Sequence, residues 1–137
     1  MVYNTNGYDS VETLRRFEGK VQIYLPDFKY FSPLLGKKYS SASDYPEVAK
    51  KAIDIMIKQQ PEVIFDENGL IKKGVIVRHM MLPDNLHDSK KILHYLHKTY
   101  KPKTVKRKIA SLKALFHYLT YKDIIEFNPF NKMQLKF

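Results

Sequence analysis

Hydrophobic and polar residues are arranged in two ways along the first hundred positions. Short runs rich in β-branched and aromatic residues, "VQIYLPDF" at 21–28 and "VIVRHMML" at 75–82, are typical of buried strands. Other segments have apolar residues every three or four positions, which is the spacing of one helix face. Between 45 and 60 that face comprises Val48, Ala52, Ile55 and Met56. Strands that alternate with helices in this way predict parallel α/β units.

Capping residues indicate where several helices begin. Asp9–Ser10 precedes "VETLRRF" and predicts a helix that is closed by Gly19. Ser32–Pro33 is a capping residue followed by a proline at the first helical position, which predicts a short helix to about Tyr39. Asp44 is expected to cap the long helix that follows it.

The pattern beyond residue 60 predicts a hairpin and then helices only. Glu67–Gly69 is a turn signal between two short strands, and Asp88 is expected to cap a helix. Thr104 follows the helix breaker Pro102 and opens the last long helix, 104–119. The apolar positions of that helix are Val105, Ile109, Leu112, Leu115, Phe116 and Leu119.

Positive charge is concentrated in the last part of the chain. Residues 1–99 hold 15 Lys and Arg against 12 Asp and Glu, whereas residues 100–137 hold 9 against 2. Such an asymmetry favours a polyanionic partner, with nucleic acid as the first candidate and an anionic membrane as the second. Because charge and pattern both change near Tyr100, the sequence predicts two parts, 1–99 and 100–137.

The chain has no cysteine. This excludes disulfides, thiolate zinc sites, a cysteine nucleophile and an iron–sulfur cluster held by cysteines of these residues. His87, His94 and His97 have only Asp88 near them as a further ligand, so we expect surface or half-buried histidines and no metal site. The first residues include acidic side chains and no apolar run, so we expect no signal peptide. No segment has the ~20 apolar residues of a membrane-spanning helix. The sequence therefore predicts a soluble, cytoplasmic protein with no membrane partner.

Three stretches of residues 1–99 resemble the later half of a radical S-adenosylmethionine enzyme of the pyruvate-formate-lyase-activating type. They are "YNTNGYDSVETLRRFEGKVQIYLPDFKYFSP", "KKYSSASDYPEVAKKAIDIM" and "VIVRHMMLPDNLHDSKKIL". The similarity extends over nearly all of residues 3–97. The resemblance implies a partial parallel α/β barrel, followed by the short all-α basic segment, with the active site at the carboxyl ends of the strands.

The same resemblance implies a binding site at the barrel mouth. Asn4 and Thr5 would lie at the end of one strand, and Asp27 and Lys29 would follow the next strand, beside bound S-adenosylmethionine or a cation. Arg78 would reach the carboxylate of the cofactor. The alternative is that Asp27 and Lys29 form an ordinary ion pair in a loop, and that this part is a plain interaction module.

Two motifs of that family are missing from the sequence, namely its CxxxCxxC cluster motif and the glycine-rich segment of GGE type that follows it. We therefore expect no iron–sulfur cluster, no catalytic residue and no radical chemistry from this part by itself. Half a barrel would expose strand edges and apolar faces. A second copy of the chain or a partner protein is expected to cover them.

The segment "KPKTVKRKIASLKALFHYLTYKDIIEFNPF" resembles the core-binding domain of a tyrosine recombinase, the phage integrase family. The matching residues are Thr104, Arg107, Ser111, Leu112, Lys113, Phe116, Tyr118, Leu119, Ile125, Asn128 and Pro129. The resemblance implies DNA binding through residues 101–113. The expected phosphate contacts come from Lys103, Thr104, Lys106, Arg107 and Lys113. The alternative is a solvated basic face on a helix that is docked by its apolar stripe.

The two resemblances predict a fusion. Its first part, 1–99, is expected to be a truncated radical S-adenosylmethionine-like module, and its second part, 100–137, a fragment of an integrase DNA-binding domain. The stretch "KKILHYLHKTY" at 90–100 could belong to either parent. The alternative function is that of a non-catalytic DNA-binding protein of the integrase core-binding type, which acts in DNA integration or recombination.

Overall fold

The computed structural model describes residues 1–100 and Tyr121. Residues 1–92 form one compact unit, and a second unit begins at Leu93. The elements follow in the order β1 (Val2–Thr5), α1 (Val11–Arg15), β2 (Ile23–Pro26), α2 (Pro33–Ser40), α3 (Tyr45–Gln59), β3 (Ile64–Phe65), β4 (Ile71–Val75) and α4 (Leu86–Thr99).

The described strands form one sheet in the order β1-β2-β4-β3. β1, β2 and β4 are parallel, whereas β3 runs antiparallel to β4. Val2 is aligned with Ile23, and Tyr24 is aligned with Val75. This register brings the carboxyl ends of the three parallel strands to one edge of the sheet. Four strands do not decide between an open sheet and a piece of a barrel, so the partial barrel stays a prediction.

Helices α1 and α3 cover one face of this sheet. The core on that face consists of side chains that are at most 3% exposed, namely Leu14, Val21, Tyr24, Ala52, Met56 and Val75. The phenol within it is satisfied, because the Tyr24 hydroxyl donates to the Gln59 side chain, whose Nε2 donates to the carbonyl of Leu14 at 2.9 Å. Burial of each large apolar side chain stabilises the unit by about 1.5–3 kcal/mol.

The predicted helix starts agree with the structure at three positions, after Ser10, Ser32 and Asp44. Ser10 caps α1, and its hydroxyl accepts the backbone N–H of Thr13 at 3.1 Å. α1 ends at Arg15, earlier than the predicted end at Gly19, because the chain turns through residues 16–20. Ser32 precedes α2, with the proline at the expected position.

The predicted capping roles of Asp44 and Asp88 are wrong in detail. Asp44 stands at the start of α3, but its side chain makes no capping bond and instead accepts the Tyr8 hydroxyl at 2.8 Å. Asp88 lies inside the first turn of α4. Both carboxylates instead accept hydrogen bonds from groups distant in sequence. The local sequence around an aspartate does not indicate such partners.

The third parallel strand begins earlier than the apolar run 75–82 predicts. β4 covers Ile71–Val75, and its first half carries exposed lysines because it forms the outer part of a hairpin. The chain stays alongside β2 beyond the strand, where the Arg78 N–H donates to the carbonyl of Pro26 at 2.8 Å. The apolar run 75–82 therefore predicted the part of the chain that lies beside β2. It did not predict the first residues of β4, because these are polar.

Candidate functional site

Polar side chains from all three parallel strands meet at the carboxyl edge of the sheet. Asn4 lies in β1, Asp27 directly follows β2, and Arg78 follows β4 by three residues. The Arg78 guanidinium donates from Nε to Asp27 Oδ1 at 2.9 Å and from Nη2 to Asn4 Oδ1 at 2.6 Å. Three of the five residues predicted for this site are therefore brought together, and we call them the strand-end cluster.

The backbone fixes the strand-end cluster. Asp27 and Arg78 form a parallel β-bridge, and the N–H of Phe28 donates to the carbonyl of Arg78 at 2.8 Å. Residues paired across a sheet point to the same face, so Asp27 and Arg78 lie together on the face opposite α1 and α3. The Arg78 and Asp27 side chains are 38% and 27% exposed, so solvent and ligands can reach them.

Thr5 lies apart from this cluster. Its hydroxyl donates to the carboxylate of Asp9 and accepts the backbone N–H of Gly7 at 3.1 Å. Tyr3, on the same face of β1, also donates to Asp9, at 2.8 Å, and burial together with that bond raises the pKa of Tyr3 to about 12. The Thr5 side chain therefore stabilises the turn after β1, whereas the family resemblance predicted it at the mouth of the site.

Lys29 does not join the cluster through its side chain. Its backbone N–H donates to the hydroxyl of Tyr45 at 3.0 Å, while its ammonium has no carboxylate partner within residues 1–100. The alternative of an Asp27–Lys29 ion pair is also not found, because the partner of Asp27 is Arg78. Lys29 remains half-buried, two residues from Asp27.

Tyr45 was not foreseen, yet it joins three backbone segments. Its hydroxyl lies 2.9 Å from the carbonyl of Asn6 and 3.0 Å from that of Asp27, and it accepts the N–H of Lys29. Burial raises the pKa of Tyr45, so the hydroxyl keeps its proton. Tyr45 thereby holds the loops after β1 and β2 against the start of α3. The one feature of the sequence that could have indicated this role is a tyrosine at the first position of a predicted helix.

His79 was also missed. It is the neighbour of Arg78 and points to the other face of the sheet, where Nδ1 lies 2.7 Å from the carbonyl of Phe28 and Nε2 lies 2.8 Å from Ser89 Oγ. A carbonyl only accepts, so Nδ1 carries the proton and Nε2 accepts the Ser89 hydroxyl. Burial lowers the pKa of His79. Ser89 is only 2% exposed, so this pair fastens the fold and presents no reachable nucleophile.

Asp88 completes the attachment of the first turn of α4. Its carboxylate, 8% exposed, accepts the backbone N–H groups of Phe31 and Ser32, each at 2.8 Å. Ser32 is the residue before α2, so the same carboxylate fixes the start of that helix. The loops after β2 and β4 are therefore both tied to α4.

Other predicted residues add no site in the described part of the chain. No group of three or more His, Cys, Asp or Glu side chains converges there in a way that could hold a metal ion. Within the same residues no helix combines the length and the apolar composition that crossing a membrane requires. Lys103, Thr104, Lys106, Arg107 and Lys113, the residues predicted to bind DNA, lie outside the described residues.

Two known proteins are similar to parts of the chain. A segment of 51 residues, 37% of this chain and 17% of the relative, is 59% identical to a tyrosine recombinase of Agathobacter rectalis. A segment of 86 residues, 63% of this chain and 21% of the relative, is 31% identical to an uncharacterized protein of Methanocaldococcus jannaschii. The chain thus spans about a fifth of the length of each. No family model matches, and no solved structure matches.

The first similarity agrees with the resemblance of the basic segment to tyrosine recombinases. Part of this chain is similar to a tyrosine recombinase, and an integrase-related part is supported. The second relative carries no functional description. The resemblance of residues 1–99 to radical S-adenosylmethionine enzymes therefore stays a prediction.

Proposed function

We propose that the chain binds duplex DNA through phosphate contacts made by its basic segment, 100–137, as a non-catalytic DNA-binding protein of the integrase core-binding type. The observation that carries this proposal is the 59% identity to a tyrosine recombinase over 51 residues. The excess of seven positive charges in the segment supports it, since lysine and arginine neutralise phosphates and release condensed counterions.

The lengths of the two similarities bear on where the recombinase-like part begins. The matched 51 residues exceed the 38 residues of the segment 100–137, so the similarity includes residues before Tyr100. The two matched lengths, 51 and 86, together equal the 137 residues of the chain. We infer that the two segments are joined end to end, in which case the recombinase-like part would be the last 51 residues and would begin within the first turn of α4. On this proposal "KKILHYLHKTY" belongs to the recombinase-like part.

The chemistry proposed for the basic segment is recognition of the DNA backbone. Lys103, Lys106, Arg107 and Lys113 would each contact a phosphate, and the Thr104 hydroxyl and the N–H groups at a helix start would donate further hydrogen bonds. Contacts of this kind position a protein on a duplex without reading its sequence. Binding should therefore be weak and similar on unrelated duplexes.

Fluorescence anisotropy of the full chain with two duplexes of unrelated sequence tests this proposal. About four phosphate contacts by the basic segment predict a plot of log K against log salt with a slope at least as steep as about −3 to −4 on both duplexes. An absence of binding at the lowest salt, or a slope near zero, would contradict backbone recognition. A strong preference for one duplex would contradict its sequence tolerance.

A second candidate function concerns the strand-end cluster, where we infer a site for the carboxylate of an S-adenosylmethionine-like ligand. The two N–H groups on Nη1 of Arg78 have no partner within residues 1–100, and the side chain is 38% exposed. A carboxylate fits these donors, and the Lys29 ammonium could add a second cation. A metal cation fits less well, because the Arg78 guanidinium already takes oxygens of Asp27 and Asn4.

The cofactor would supply a methionine carboxylate and sulfonium group, and this chain would only bind it, because these residues hold no cysteine for a cluster. Titration calorimetry with S-adenosylmethionine at millimolar concentration tests the site. Heat of binding that is lost in Arg78→Met, with circular dichroism unchanged, is expected. If the unmodified chain gives no heat of binding, the strand-end cluster is not a site for S-adenosylmethionine. That result would not bear on the proposed DNA binding.

A further inference from the structure

α2 and the loops beside it form an exposed basic surface within residues 1–92. Residues 28–43 hold three lysines and no acidic residue. Leu34, Lys37 and Lys38 are spaced by three and four positions, so they share one helix face, and Ser41 directly follows the helix with left-handed backbone. All four are exposed, Leu34 at 77%. We call Leu34, Lys37, Lys38, Tyr39 and Ser41 the α2 surface.

The lysines of the α2 surface are not neutralised locally. Neither Lys37 nor Lys38 has a carboxylate partner within the described residues, whereas Lys50, Lys58 and Lys72 pair with Glu47, Asp54 and Asp66 at 2.7 to 3.7 Å. The acidic groups nearest in sequence are engaged elsewhere. Asp44 accepts the Tyr8 hydroxyl, and Glu47 pairs with Lys50 at 3.0 Å.

Aromatic rings pack against one side of the α2 surface. Tyr39, 47% exposed, stacks on Tyr30 with ring centroids 6.2 Å apart, and Tyr30 meets Tyr45 edge-on at 5.3 Å. The Lys38 ammonium lies 5.0 Å from the centre of the Tyr39 ring. A Cβ at Gly36 would come within 2.4 Å of the Ala42 carbonyl, so this glycine lets the helix approach the loop closely. Ordered cations and hydroxyls lose less entropy on binding than mobile ones.

We propose that the α2 surface is a second phosphate-binding surface, which contacts the backbone of a nucleic acid duplex through Lys37, Lys38 and the hydroxyls of Tyr39 and Ser41. Lysine ammonium groups with hydroxyl donors are the groups that typically contact phosphate oxygens. This inference rests on the proposed DNA binding by the basic segment, because a chain already held on a duplex meets further phosphates at high effective concentration. Phosphates are favoured over an anionic membrane because Leu34 is the surface's one exposed aliphatic side chain.

The test compares three double variants of the full chain on one duplex across a salt series. Lys37→Ala with Lys38→Ala should weaken binding about tenfold at low salt and flatten the log–log slope by about two. Arg107→Ala with Lys113→Ala tests the basic segment separately. Lys72→Ala with Lys73→Ala is the control, because it removes two positive charges from exposed positions of β4. Its affinity for the duplex should stay within about twofold of that of the unmodified chain, since neither lysine is a proposed phosphate contact.

Each outcome decides the inference. Loss on the α2 variant, with no loss on the β4 variant, supports it. Unchanged binding of the α2 variant, with loss on the Arg107 and Lys113 variant, overturns it and leaves the proposed function intact. Equal loss on the α2 and β4 variants shows a general charge effect and also overturns it. The unmodified chain could instead bind no duplex but bind phosphatidylserine vesicles in a way that depends on Lys37 and Lys38. That result would identify a lipid surface as the partner and would refute both proposals.

Discussion

Arg78 and Asp27 are joined twice, once through their backbones and once through their side chains. Their residues form a parallel β-bridge beyond the ends of β2 and β4, and the guanidinium approaches the carboxylate at 2.8 Å. The bridge places both side chains on one face, so the ion pair needs little further ordering. This arrangement holds charged side chains together at the carboxyl edge of the sheet, where solvent can reach them.

A double-mutant cycle measures that pairing. Arg78→Ala and Asp27→Ala should each destabilise the chain, and their coupling should be about 1 kcal/mol, because the ion pair is partly exposed and includes one hydrogen bond, from Nε. Urea unfolding of the two single variants and the double variant gives the coupling. Strict additivity would show that the pair contributes nothing beyond its separate side chains.

Gly7 and Gly19 form a matched pair for testing the turn after β1. Both have positive φ, +82° and +75°, but a Cβ at Gly7 would lie 2.1 Å from the Asp27 carbonyl, whereas a Cβ at Gly19 meets no heavy atom within 4 Å. Gly19→Ala should lower the free energy of unfolding by about 1 kcal/mol, the cost of left-handed backbone. Gly7→Ala should lower it by at least about 2 kcal/mol more, since the turn must move. Equal losses in urea unfolding would contradict the close approach of the two loops.

Asp88 is expected to stabilise the attachment of α4. Asp88→Asn removes the charge that accepts two backbone N–H groups, and it should lower the free energy of unfolding by about 2 kcal/mol. Asp84→Asn makes the same chemical change at an exposed position nearby and should change it by less than about 0.5 kcal/mol. If both variants unfold at the same urea concentration, Asp88 does not fasten the loop.

His79 should make stability depend on pH. Burial lowers its pKa in the folded chain below the ordinary 6.5, so the unfolded chain binds the proton more readily. The stabilisation is fully present above pH 6.5 and is lost as the pH falls from there through the folded pKa. His79→Gln should remove this part of the pH dependence, whereas exposed His87→Gln should retain it. An identical profile of unfolding free energy against pH for all three chains would refute the buried neutral histidine.

Local signals predicted the helix starts, but contacts between distant residues did not leave such signals. Ser10 stands before α1 and accepts the N–H of its near neighbour Thr13, and Ser32 stands before α2 with a proline at the first helical position. Asp88 carries an equally good capping side chain, yet it bonds Phe31, 57 positions away. A single sequence gives no indication of that partner, so the capping role was assigned wrongly.

The strand-end cluster shows a similar division. The resemblance to a known family pointed to Asn4, Asp27 and Arg78, which the fold brings together from positions up to 74 residues apart. Thr5 was grouped with Asn4, although successive strand residues point to opposite faces, so the two could not both have faced the site. The different orientations of Asn4 and Thr5 could have been expected from the sequence, whereas the hydrogen bonds of Tyr45 and His79 depend on tertiary packing.

The central claim, DNA binding by the basic segment, is tested most directly by the salt dependence of duplex binding in the full chain with Arg107→Ala and Lys113→Ala. The account predicts weaker binding on every sequence and a log–log slope that is flatter by about two than that of the unmodified chain. Helix content should be retained, because alanine is a good helix former. A slope and affinity equal to those of the unmodified chain, or no binding by either chain at the lowest salt, would contradict the claim.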